Sequence, residues 1–218
     1  MKLVLTLHEP WQAGTGRGDG PECDAIVVRT DEGLPYLPGR TLKGLLREAL
    51  ETLVEAGHLD RKRVAVLLGD PAMAADDPEP ADKEEDDRRG ELRRFKTTAG
   101  ALRIGSAQLG ADDEERERWR HWAGDSEHDA LKRDLCRRLS STSMDPETGT
   151  ARQRTLRTVE VAVPMTLVAD IDWESPEAEG AHWRDDIRRA LPLLRQLGGS
   201  RHRGFGRCTA MLEDGGAA

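Results

Sequence analysis

The leucine, alanine and valine side chains at 42, 45, 46, 49, 50, 53 and 54 recur at i, i+3, i+4, i+7, i+8, i+11 and i+12. That spacing gives one continuous apolar stripe on an α-helix and no continuous face on a β-strand. A helix of this kind needs an apolar surface to cover. Thr41 is placed to cap its start and Gly57 to stop it.

The surface is supplied by short apolar runs spread along the chain. Leu3-Val4-Leu5-Thr6-Leu7 reads as a strand, and residues 25–29 as a second extended segment turned by Asp31-Glu32-Gly33 into Leu34-Pro35-Tyr36-Leu37-Pro38. Residues 101–109 predict a further strand, and residues 112–139 a helix broken near Gly124, whose Trp119 and Trp122 are packing residues. Residues 158–163 and 165–171 predict two strands parted at Pro164. Residues 182–197 predict a helix that Pro192 kinks or shortens, and residues 205–212 a closing strand. The resulting order predicts an α+β fold, a ferredoxin-like (RRM-like) core with insertions, in one domain spanning residues 1–218.

The formal net charge of -8 argues at first against a phosphate-rich partner. Its distribution removes the objection. Residues 70–91 carry ten acidic and three basic side chains, so nearly all of the excess lies in one stretch without hydrophobic period. Such a stretch is expected to be a solvated, mobile insertion. Elsewhere the basic residues cluster. No run reaches the roughly 18 apolar residues of a membrane span, so no membrane partner and a cytoplasmic location are expected. Cys23, Cys136 and Cys208 are odd in number, far apart and without CxxC spacing, which predicts reduced thiols.

Three basic groups stand out. Arg40 and Lys43 flank the start of the long helix, where free backbone N–H groups and the helix dipole favour an anion. Arg201, His202, Arg203 and Arg207 punctuate the glycine-rich run Gly198-Gly199-Ser200-Arg201-His202-Arg203-Gly204-Phe205-Gly206, where missing side chains let backbone approach a ligand. Arg152, Arg154 and Arg157 lie in the polar segment 140–157, with Met144 and Leu156 as apolar companions.

Taken together and in order, three stretches resemble the RAMP superfamily, and within it the backbone subunits of type III CRISPR effector complexes. The first runs from Asp24-Ala25-Ile26-Val27-Val28-Arg29 to Pro38-Gly39-Arg40-Thr41-Leu42-Lys43-Gly44-Leu45-Leu46-Arg47 and looks like the family's aspartate, short strand and Pro-Gly turn into a helix. The second, Met144-Asp145-Pro146-Glu147-Thr148-Gly149-Thr150-Ala151 leading to Val159-Glu160-Val161, is similar to the thumb hairpin. The third is the glycine-rich run at residues 198–206. The family's small residue at the turn is Arg40 here, Cys23 stands where an aliphatic residue is usual, and the acidic insertion is not a family feature.

The resemblance implies a protein that holds CRISPR guide RNA and target RNA beside other RAMP or effector subunits. It implies RNA contacts from Arg40, Thr41, Lys43, Arg47, Arg152, Arg154, Arg157, Arg201, His202, Arg203 and Arg207, and a thumb-like segment at 140–157. It also implies that Asp24 is the catalyst of target-RNA cleavage and holds a divalent metal, Mg2+, with the RNA's own 2′-hydroxyl as nucleophile. Asp19 and Asp31 are alternative carboxylates. Two other functions remain open at this point: a subunit that binds or caps guide RNA without cutting, and a guide-processing endoribonuclease using His8 or His202 as base.

Overall fold

The computed structural model describes residues 1–20, 22–69, 99–174 and 182–213. The acidic stretch at 70–91 lies outside the described residues. Strand β1 (Lys2–Leu7) occupies an interior position of a four-stranded antiparallel sheet with β2 (Leu102–Ile104), β5 (Thr166–Trp173) and β6 (Cys208–Glu213), in the order β2-β5-β1-β6. Alternation fixes which face is covered. Leu3, Leu5 and Leu7 are buried, and Ala169 and Leu167 stand opposite the first two in β5 while Ala210 and Cys208 stand opposite the last two in β6.

The long helix α1 (Gly39–Glu55) covers that face with Leu42, Leu46, Ala49, Leu50 and Leu53. It packs against α2 (Arg61–Leu68) and against α5 (Trp183–Ala190). Trp183, Ile187, Ala190, Leu191 and Leu194 are all buried, and the helix gives way to a 3-10 turn, Leu191–Leu193, at Pro192. The expected shortening therefore occurs where proline removes a backbone donor. With α2, the elements between β2 and β5, and the 3-10 turns set aside, the described elements run β1, α1, β2, β5, α5, β6, a β-α-β-β-α-β order.

Two expectations change. The helix begins at Gly39 with Pro38 as its N-cap, and Thr41 lies inside the first turn, its N–H donating to Pro38 O at 2.9 Å. With Pro38 as cap, the extended segment ends three residues earlier than a Thr41 cap would place it. Gly39 is required there because a Cβ would stand 2.5 Å from Ile104 O. The second change concerns residues 112–139: α3 (Asp113–Gly124), a 3-10 turn and α4 (Asp129–Asp134) are followed by strand β3 (Cys136–Ser141). Helical propensity in Cys-Arg-Arg-Leu is overruled by pairing with β4 (Arg157–Ala162), from Cys136 opposite Ala162 to Ser141 opposite Arg157.

Strands β3 and β4 form a separate two-stranded hairpin whose tip is the predicted thumb-like segment. Asp145 shapes the tip by accepting from the N–H groups of Glu147 (2.9 Å) and Thr148 (3.2 Å), and Met144 pairs with Ala151. Met144 and Leu156 project, at 61% and 71% exposure. The three cysteines are buried and separate. Among the described residues no helix is long and apolar enough to cross a membrane.

Candidate nucleic-acid interface

The four residues that follow β1 by a short interval, Pro10, Trp11, Gln12 and Ala13, tie together every stretch that carries a motif. Pro10 O accepts from Gly206 N (2.8 Å), and Gln12 O from Gly199 N (2.9 Å), so the glycine-rich loop hangs on this segment. Trp11 pairs with Ala162 of β4 in both directions, at 3.0 and 2.7 Å, and its indole N–H donates to Val163 O. Ala13 O accepts from Val28 N at 2.8 Å. One extended segment thus joins loop, hairpin and the strand-like residues 24–29.

The glycines of the loop are chiefly demanded by the protein itself. At φ 82° and 71°, Gly198 and Gly206 adopt the left-handed region, and an added Cβ would stand 2.2 Å from Gln12 O and 1.9 Å from Leu197 O respectively. The loop then turns through a 3-10 segment, Arg201–Arg203, with Ser200 at φ 58°. Arg201 Nη1 reaches both carboxylate oxygens of Glu48 on α1, at 3.1 and 3.3 Å. A groove of about 290 Å³ runs between them, lined by Leu45, Glu48, Thr52, Arg195, Arg201 and His202 among others. The helix and the basic loop therefore border one surface.

Asp24 begins the segment that lies along β4. Its backbone N–H donates to Thr158 O (2.7 Å), and its Oδ2 accepts from Thr158 N (2.8 Å), which fixes the carboxylate in an exposed position beside the hairpin base. The pairing continues with Glu160 N to Ala25 O (2.8 Å). The buried Glu160 carboxylate accepts from Val27 N (3.0 Å) and pairs with Arg29 (2.7 Å). Of the alternative carboxylates, Asp19 is held by Arg138, together with Glu22. Among the described residues no group of three or more possible metal ligands occurs.

The predicted cations divide by what they already hold. Arg47 donates to Leu68 O and Gly69 O at 2.8 and 2.9 Å, closing the end of α2. Arg201 is paired with Glu48, Arg207 with Glu9 at 3.0 Å, and Arg152 with Asp145 at 3.8 Å. Among the described residues, Arg40, Lys43, Arg154, Arg157, His202 and Arg203 have no side-chain partner. The N–H of Gly39 donates to Ser106 Oγ at 3.2 Å, so the helix start offers fewer open donors than its sequence promised. His8 Nε2 lies 3.1 Å from Thr209 Oγ1. Trp119 and Trp122 pack edge to face, centroids 5.6 Å apart, and Trp122 stacks on His128.

Sequence reasoning passed over Gln12. The residue is only 9% exposed, and its Nε2 donates to Ala25 O at 3.4 Å while its backbone carbonyl holds Gly199. A polar residue directly after an aromatic one, shortly past a strand, is the only signal it gives. It lies between the glycine-rich loop and the residue next to Asp24.

The RAMP superfamily model matches residues 4–209. No curated protein matches the chain. Among solved structures, a chain of the cryo-EM structure of the type III-B Cmr-beta bound to cognate target RNA is similar at TM-score 0.62 and 10% identity, covering 96% of this chain and 95% of that one. A chain of the apo state of the type III-B Cmr-beta is similar at TM-score 0.58 and 12% identity, with the same coverage. At such identities the likeness is one of fold.

Proposed function

The chain belongs to the RAMP superfamily, and from that premise we propose that it is a CRISPR effector subunit, working in the cytoplasm, that holds guide RNA and cleaves the paired target RNA. One observation carries the reading. The glycine-rich loop, the middle of α1, the Asp24 segment and the base of the hairpin are joined by direct contacts, through Arg201–Glu48 and through residues 10–13. The similar Cmr-beta chain comes from a complex bound to target RNA.

In this reading Arg40, Lys43, His202 and Arg203 meet guide phosphates, since they have no partner to give up among the described residues. Thr41 lies in the same first helical turn. Arg201 and Arg207 exchange a carboxylate for phosphate, whereas Arg47 supports the helix pair rather than the RNA. The hairpin carries Arg152, Arg154 and Arg157 beside exposed Met144 and Leu156, a cationic and apolar tip able to wedge against a duplex.

Cleavage is an in-line attack by a ribose 2′-oxygen on the adjacent phosphorus. The new 2′-O–P bond forms as the P–5′-O bond breaks, the 2′-hydroxyl loses its proton, and the 5′-oxygen gains one. Thr158 N–H holds Asp24 Oδ2, and Oδ1, which has no donor among the described residues, faces the scissile linkage in this reading. A lone carboxylate fits Mg2+ only where phosphate oxygens and waters complete the shell; such an ion would stabilise the charge developing on the phosphate.

Asp24→Ala in the assembled complex should lower cleavage by about 100-fold or more while RNA retention stays within about twofold. Undiminished cleavage would remove the catalytic assignment. A second reading, a subunit that holds RNA without cutting, is favoured by the bond by which the Asp24 carboxylate holds its segment on Thr158 of β4, a structural role in its own right, and the same measurement decides between them. Cleavage of repeat RNA by the isolated chain would instead identify a guide-processing enzyme.

A further inference from the structure

Gln12 is nine-tenths buried, yet only one end of its amide is engaged. Because Ala25 O is an acceptor, the end facing it is the Nε2 donor, which leaves Oε1 as the outward atom. Oε1 has no hydrogen-bond partner among the described residues, and it is not sealed from solvent. What keeps it open is Gly199. The φ of Gly199 is not in the left-handed region, and no backbone atom crowds its Cβ position. The nearest atom to an added Cβ there is Gln12 Oε1 itself, at 3.0 Å. The glycine at 199 therefore does something different from Gly198 and Gly206: its bare backbone uncovers an acceptor.

We propose that Gln12 Oε1 accepts a hydrogen bond from a donor of the bound RNA at the gap left by Gly199. This rests on the RNA-holding reading above and adds a specific contact to it. The surrounding cations contact phosphate, which DNA shares, and cannot by themselves select RNA. A fixed acceptor with no charge can take a ribose 2′-hydroxyl, the group that distinguishes RNA from DNA, or a base N–H. Its position between the basic loop and Ala25 puts that contact one residue from Asp24.

The test pairs two protein variants with two sets of synthetic RNA, using the full chain. Gln12→Met keeps the side-chain length and removes the acceptor; Gly199→Ala covers the acceptor from outside and leaves it in place. Binding is measured for an all-ribose strand, for single 2′-deoxy substitutions at each position, and for base analogues lacking one exocyclic N–H. For the wild type, one substitution should weaken binding about fivefold. Both variants should bind the unmodified strand about fivefold more weakly and be insensitive to that substitution. A response in the deoxy set identifies the 2′-hydroxyl, and one in the analogue set identifies a base. If both folded variants retain the full position-by-position sensitivity of the wild type, the contact does not exist. If the wild type binds none of these strands, the RNA-holding reading itself has failed.

Discussion

Arg201 and Glu48, 153 residues apart in sequence, form a two-oxygen ion pair that fastens the basic loop to α1. The pair is exposed enough to contribute little to stability, with side chains 40% and 62% exposed. Its larger effect is on charge, because Glu48 partly neutralises an arginine on the proposed RNA surface.

Glu48→Gln should therefore strengthen RNA binding by about two- to threefold near 0.1 M salt and steepen its salt dependence by about one counterion. Stability should change by less than about 1 kcal/mol. Anisotropy titrations across a KCl series measure both, and weaker binding would show that the pair is needed to shape the loop.

Arg47 and Arg203 should behave in opposite ways. Arg203→Ala should lower the salt slope by about one and leave stability unchanged. Arg47→Ala strips two carbonyls at the end of α2 of their donor and should cost about 1–3 kcal/mol. Its salt slope should stay unchanged. Urea denaturation and RNA titration on both variants separate the two roles.

The glycines of the loop should not be equivalent. Gly198→Ala and Gly206→Ala drive a Cβ into Gln12 and Leu197 backbone and should destabilise by about 3 kcal/mol or more, since strain and overlap add. Gly204 also has a left-handed φ of 82° but has open space around it, so Gly204→Ala should cost only about 1 kcal/mol. Denaturation midpoints rank them.

Much of this loop was legible. The run of glycines and arginines pointed to a basic turn, and the leucine stripe to α1, because both signals are local. What the sequence could not carry was long-range. Pro10-Trp11-Gln12 has no period of its own, and its importance arises from bonds to residues 199, 206, 162 and 25. Strand β3 was missed for a related reason, since Cys136 to Leu139 becomes extended only by pairing with β4. Arg47 looked like a phosphate contact because its sequence neighbourhood does not reveal the α2 carbonyls it meets.

Burial pushes the Cys208 thiol up to about 11 from an ordinary value of 9.0. Between those values the unfolded thiol ionises while the folded one keeps its proton, so the native state binds more protons and stability falls as pH rises. This contribution is fully present below pH 9 and lost on passing about 11. Denaturant midpoints measured from pH 8 to 11 should fall more for the wild type than for Cys208→Ala. Equal slopes would contradict the burial argument.

Amide hydrogen exchange with and without bound RNA tests the central claim most directly. Residues 24–28, 39–44 and 198–207 should all gain protection together on RNA binding. Protection confined to one of these segments, or to none, would contradict a single RNA-holding surface.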